Sequence, residues 1–337
     1  MTGAGAPGAA GIIKCLLQDA SINLIVADTD EDAIGKHLHP NFIQIPKAAD
    51  PKFTEAVLDA CKRHQVNVVL PLVTKELFPF AANKNLFESA GIKVIVSSQE
   101  AIAIANDKSA CYKFLHQKGI TVPDFRIVNT VSEFQAAVHE LGYPQKPVCF
   151  KPSISNGSRG FRIITNDIDE SDLLFNQKPN NSICSYADIT RILSQRPFPE
   201  LLVSEYLPGD EFSVDCLANQ GEPFLVLPRL RKKMINGISV KGQFIKNEKI
   251  IDYCNQIIQL TGLHGNIGIQ VKQSASGEFL LLEINPRVQG TIVAALGAGV
   301  NLPLLAVKQE MNIPIQPGEI SVVWGTSFSR YWSEIFY

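Results

Sequence analysis

The segment Glu283-Ile-Asn-Pro-Arg287 has the spacing most directly suited to chemistry. Residues two apart on a strand face one side, so Glu283 and Asn285 point together and Ile284 points to a core. Gln270 lies thirteen residues before Glu283, on the preceding strand of what reads as a hairpin. A carboxylate and two amide oxygens suit a hard cation such as Mg2+, which also takes oxygens from phosphate and water. Pro286 ends the strand, and Arg287 beyond it can grip a phosphate or carboxylate with two parallel N–H groups. A buried Glu283 satisfied by Arg287 in a plain ion pair is an equal alternative.

Lys151 closes a short apolar strand, Pro147–Pro152, and precedes the Gly/Ser loop Ser153–Gly160. Backbone N–H groups of Gly157, Ser158 and Gly160 could form an anion nest over which the ammonium neutralises phosphate. Most lysines are on the surface, so Lys151 taken alone reads as a solvated hairpin residue. Glu205 and Glu211 flank Tyr206-Leu-Pro-Gly-Asp210, a hinge able to offer backbone groups to an adenine edge and a carboxylate to ribose hydroxyls. Two exposed acids beside a turn is the simpler reading. The basic run Arg229, Arg231, Lys232 and Lys233, with Lys241 beyond Gly237, could hold an anionic substrate or a transferred phosphoryl group, or be a solvated strand end.

Other chemistries lack their residues. Six His show no metal spacing, seven Cys form no CxxC, and neither GxSxG nor GxxxxGK[ST] occurs. Widely spaced, odd-numbered Cys read as reduced thiols of a cytoplasmic protein. Lys plus Arg is 31 against 33 Asp plus Glu, which argues against a nucleic-acid coat or polybasic membrane binder. The apolar stretch Thr291–Val307 is interrupted by Gly297, Gly299, Asn301 and Pro303, so it reads as a buried helix rather than a membrane span.

The 337 residues are enough for two or three packed units. Apolar runs at Asn23–Ala27, Phe42–Ile45, Val66–Val73 and Ile92–Val96 alternate with helical patterns at Phe53–His64 and Glu76–Ala90. This predicts a parallel sheet with helices on both faces. Gly3, Gly5 and Gly8 form GxGxxG, and Asp28 stands where a dinucleotide unit has its ribose acid, but no strand precedes the glycines. Small residues there would equally serve close packing of the first helix. Asp107 is a candidate cap for a helix that begins at Lys108 and is stopped by Gly119. The tail, Trp324 to Tyr337, is dense in aromatics and is expected to dock on the chain itself.

The order of these pieces resembles the ATP-grasp superfamily, in particular proteins like the large subunit of carbamoyl-phosphate synthase. The resemblance spans essentially the whole chain. It implies an α/β and α+β architecture: a parallel-sheet (Rossmann-like) domain over 1–105, a lid subdomain over 106–199 and a catalytic subdomain over 200–337. It implies that Lys108 and Lys151 contact ATP phosphates, the second also near adenine. Ser155, Gly157, Ser158 and Gly160 would cover the phosphates, Glu205 and Leu207 would form the adenine hinge, and Glu211 would accept from ribose. Gln270, Glu283 and Asn285 would hold Mg2+ (or Mn2+). Arg287 would stabilise an acyl-phosphate intermediate, and Arg229 and Lys241 would serve catalysis on the anionic substrate.

The implied reaction is ATP-driven joining of a small carboxylate to an amine or similar nucleophile, with release of ADP and phosphate. The N-terminal domain would help bind substrate and would not bind NAD. Two departures qualify this. The chain has one ATP-grasp half where the synthase has two, and Gly290 stands where the synthase has a second arginine. A small-molecule ligase is therefore expected rather than carbamoyl phosphate synthesis. The N-terminal domain also lacks its usual leading strand, so upstream residues are expected to be missing or the sheet edge rearranged. A non-catalytic ATP-binding regulatory module and an NAD(P) oxidoreductase resting on Gly3, Gly5 and Gly8 are the competing readings. No nucleic acid or membrane partner is expected, and a homodimer is left open.

Overall fold

A computed structural model describes residues 1–155, 159–176, 182–235 and 237–337. The chain divides into two units: one comprises Met1–Ala105, Glu211–Val271 and Leu282–Tyr337, the other Asn106–Asp210 and Lys272–Leu281. The predicted boundary near 200 therefore lies at 210, because the strand Leu201–Glu205 hydrogen-bonds with its lid-side neighbours.

The N-terminal part of the first unit holds strands β1 (Val26–Asp28), β2 (Phe42–Gln44), β3 (Val68–Val69) and β4 (Lys93–Val94). β1 pairs with β2 and β3 with β4, both parallel as the alternating pattern requires. Thr2 bridges to both Ala27 and Pro71 in parallel. Thr2 N–H donates to Leu70 O at 3.1 Å, and Ala4 N–H to Ala27 O at 3.0 Å. Met1–Ala4 thus runs between β1 and the segment that follows β3, bridged to both at Thr2. The helical run expected over Glu76–Ala90 is two helices, Thr74–Ala82 and Lys84–Ser89. Pro79 has no N–H for the ladder, and Asn83 Nδ2 caps the Pro79 carbonyl at 2.9 Å.

The second unit carries β5 (Phe125–Val128), β6 (Val148–Pro152), β7 (Arg162–Ile164), β8 (Ile183–Cys184) and β9 (Leu201–Glu205). They form one sheet in the order β5-β9-β6-β7-β8, antiparallel except for the β7–β8 pair. Its core gathers Phe134, Val138, Phe150, Ile164 and Val203.

The remainder of the first unit is built on β10 (Glu211–Asn219), β11 (Glu222–Ile235), β12 (Ile238–Phe244), β13 (Gly265–Gln273), β14 (Phe279–Asn285) and β15 (Ser327–Ser329). The sheet order is β14-β13-β10-β11-β12-β15. A single core joins this sheet to the N-terminal one through Ile12, Leu70, Leu217, Leu227, Val288 and Leu305. Gly8 belongs to this junction: a Cβ there would stand 2.5 Å from Gly290 Cα, so only glycine allows the approach. The stretch Thr291–Val307 forms two helices, Ala294–Gly297 and the first part of Leu302–Glu310, the second capped by Asn301. Among the described residues, no helix is long and apolar enough to cross a membrane.

The tail only partly meets expectation. Trp324 and Phe328 pack on the core, and the Tyr337 ring stacks on His37 at 3.5 Å. Tyr331, Trp332 and Phe336 are exposed.

Candidate functional site

In the first unit, two polar clusters are carried by neighbouring strands. At the end of β14, Asn285 Nδ2 donates to Glu283 Oε1 at 3.2 Å, so the two side chains share a face as their spacing predicts. Arg287 beyond them is held on three sides. Its Nε donates to Thr74 Oγ1 at 2.9 Å, Nη1 to the Val288 carbonyl at 2.9 Å, and Nη2 to Asn285 Oδ1 at 3.4 Å. Burial pulls the guanidinium below its usual range, and the nearby Glu283 carboxylate works against that shift. Thr74 is 213 residues away in sequence and was not foreseen; its only signal is its place at the start of a helix.

The second cluster centres on Arg231, whose side chain is 4% exposed. Its Nη1 donates to Glu211 Oε1 and, at 3.3 Å, to Gln270 Oε1. Its Nε donates to Ser239 Oγ at 3.1 Å, and Nη2 to the Gly237 carbonyl. One guanidinium thus ties together β10, β11, β12 and β13. The sequence grouped Arg231 with the basic run and did not single it out.

Arg229 corrects an expectation. Proposed as a catalytic contact, it is 0% exposed and paired through Nε with Asp215 Oδ2 at 3.1 Å, under the Phe328 ring. Among the described residues, its Nη1 and Nη2 and Asp215 Oδ1 have no hydrogen-bond partner. A sealed pair of this kind serves the interior, since it has no surface to offer a ligand. Lys241 is exposed on β12, directly across from Lys233 on β11.

Asp28 is also settled by geometry. Its Oδ2 accepts from Gly5 N–H at 2.7 Å and its Oδ1 from Asp30 N–H at 3.0 Å, so the carboxylate braces the glycine turn. Nearby, Glu76 is buried and accepts from Thr2 Oγ1 at 2.6 Å; burial pushes its carboxyl up to about 7, with the Thr2 bond opposing.

In the second unit, Asp107 caps the helix Lys108–Gln117 through Ala110 N–H at 3.0 Å. Lys108 is buried, and its Nζ donates to Ser155 O at 2.8 Å and Ser155 Oγ at 3.4 Å. The helix start therefore grips Ser155, just after β6. Lys151 Nζ lies 5.5 Å from the centre of the Tyr112 ring, and Tyr112 Oη donates to Leu281 O at 2.5 Å. Gly160 (φ +80°) brings the loop back onto Pro152, where a Cβ would meet the ring at 2.7 Å. Gly157 and Ser158 lie outside the described residues. Glu205 Oε1 accepts from Asp124 N–H at 3.0 Å, and Leu207 is buried. Lys272, unforeseen, places Nζ 4.8 Å from the Tyr206 ring of the hinge.

Comparisons with known proteins bear on the fold. Residues 197–326 match the family described as ATP-grasp in the biosynthetic pathway with Ter operon, and residues 9–95 match the PylC-like N-terminal domain. Solved structures with the same fold include the ADP complex of an N5-carboxyaminoimidazole ribonucleotide synthetase, at TM-score 0.68 and 14% identity over 94% of this chain and 77% of that one. The fold is ATP-grasp. A biotin carboxylase from Campylobacter jejuni aligns at TM-score 0.65 and 16% identity, over 94% of this chain and 72% of the carboxylase. In sequence, the chain is similar to the carbamoyl phosphate synthase large chain of Thermomicrobium roseum, 25% identical over 275 residues. The arginine-specific large chain of Geobacillus stearothermophilus is 26% identical over 271 residues. Each match covers 77% of this chain but 24% of the relative, so the chain spans about a quarter of those proteins.

The oxygen-only donors Glu283, Asn285 and Gln270 fit a hard divalent cation in chemical type. Glu283 and Asn285 are already side by side, while Gln270 Oε1 is engaged by Arg231.

Proposed function

We propose that this ATP-grasp protein is an ATP- and Mg2+-dependent ligase that activates a small carboxylate as an acyl phosphate for attack by an amine or similar nucleophile. The observation that carries the reading is the β14 end, where Glu283, Asn285 and a fully oriented Arg287 converge. Substrate carboxylate oxygen attacks the γ-phosphorus of ATP and the bond to ADP breaks. The amine nitrogen then attacks the acyl carbon, the carbon–oxygen bond breaks, and phosphate leaves with that oxygen.

In this reading Glu283 and Asn285 hold the divalent cation, with Gln270 as a third oxygen donor. The bound cation supplies charge neutralisation on the phosphates. Arg287 has its guanidinium fixed by Thr74, so it can meet developing negative charge without reorganising. Lys108 and Lys151 neutralise nucleotide phosphates, Ser155 to Gly160 cover them, Glu205 and Leu207 hold adenine, and Glu211 accepts from ribose. The carboxylate and the nucleophile are small molecules.

The test is incubation with Mg2+ and ATP against a panel of carboxylates and amines, following nucleotide products. ADP and phosphate that appear only with an active substrate pair support the reading. AMP and pyrophosphate would exclude an acyl phosphate.

A further inference from the structure

Gln270 and Glu211 are each expected to serve the nucleotide, yet both spend an oxygen on the same Arg231 nitrogen. A guanidinium and a divalent cation do not share one amide oxygen at close range, because their like charges repel and the divalent ion doubles the repulsion of a unit charge. Arg231 has little freedom to drift away. Ser239 Oγ and the Gly237 carbonyl hold its other donors, and its side chain is 4% exposed.

We propose that Arg231 is a positioning residue that acts as a tethered rival of the metal ion. In the ligand-free protein it fixes Glu211 and Gln270, and it yields Gln270 Oε1 when the cation arrives. The inference rests on the proposed ligase reading for the role of Gln270 and goes beyond it in two ways. It explains how a site with one carboxylate and two amides keeps its oxygens oriented while empty. It also sets an order: free metal binds weakly, and metal carried by nucleotide binds well because the phosphates offset the charge of Arg231.

The experiment measures Mn2+ binding by the loss of the free-ion paramagnetic resonance signal, with and without ADP, on the full chain. Arg231→Gln is expected to bind Mn2+ without ADP about tenfold tighter than wild type, a change of about 1.4 kcal/mol. The gain from adding ADP should shrink by a similar factor. Arg231 is well packed, so Arg231→Lys is measured alongside. A lysine keeps a cation for Glu211 but lacks the planar fork that spans to Gln270, so it too should tighten Mn2+ binding, by a smaller factor. A merely structural role would lower stability and leave Mn2+ affinity where it was.

Unchanged or weaker Mn2+ binding in both variants overturns the inference and leaves the ligase reading standing, provided Glu283→Ala abolishes Mn2+ binding. Retained Mn2+ binding in Glu283→Ala overturns the metal assignment and the Arg231 inference together.

Discussion

Arg229 and Arg287 are the same residue type in one unit, and they live under opposite conditions. Arg229 is sealed beneath Phe328 with one contact to Asp215 and two nitrogens without a partner among the described residues. Arg287 has each arm of its guanidinium directed by a named oxygen beside a carboxylate. A buried charge is costly to orphan, so the Arg229–Asp215 pair bears on folding. Arg287 is oriented at Nε, Nη1 and Nη2 beyond the end of a strand, which is the preorganisation its proposed role in phosphate chemistry requires.

The sharpest way to break this comparison is at Asp215. Asp215→Ala leaves Arg229 without its counter-ion and is expected to cost about 3–5 kcal/mol of stability by urea denaturation. Replacing both partners, Asp215→Leu with Arg229→Met, should recover most of that loss. If Asp215→Ala unfolds at the wild-type urea midpoint, the pair is not the structural element claimed here.

Next in size is Arg287→Ala. ADP formation should fall about 100-fold or more, with the urea midpoint close to wild type. Equal loss of stability and activity would erase the distinction between the two arginines.

Glu76 gives a third, pH-dependent effect. Its carboxyl is raised to about 7 in the folded chain from its ordinary 4.5, chiefly by burial. Between those values the unfolded chain has lost its proton and the folded chain has kept it. Stability from this group is therefore full below the lower value and falls as pH rises to the upper, by about 3 kcal/mol in total. Glu76→Gln should flatten that slope and be relatively more stable at pH 8 than at pH 4. An unchanged slope would show that Glu76 is ionised in the fold.

The smallest expected effect is at Thr74. Thr74→Val removes one charge-assisted hydrogen bond from Arg287, a loss of about 1.5 kcal/mol, and should slow ADP formation by about tenfold with little change in stability. Thr74→Ser should restore the rate, since it keeps the hydroxyl.

Much of the fold was legible in short-range pattern. The alternation of strand and helix before Asn106 gave the parallel sheet, Asp107 gave the helix cap, and period-two spacing put Glu283 beside Asn285. What was not legible depends on strands meeting across long sequence separations. Arg229 and Arg231 look alike in the run Arg229–Lys233, and the register against β10 decides their fates. Arg229 pairs across from Ser213 and reaches Asp215, while Arg231 reaches Glu211. Leu201–Glu205 reads as the start of a new unit, yet it inserts between β5 and β6. Thr74, Lys272 and Met1–Ala4 took their places only through contacts with distant segments.

The central claim is an acyl phosphate formed from a carboxylate, and oxygen transfer reads it directly. A turning-over carboxylate substrate labelled with 18O is incubated with ATP, Mg2+ and the nucleophile. The account predicts ADP, with one labelled oxygen per turnover carried into inorganic phosphate. Label found in AMP, or phosphate released without label, would contradict it.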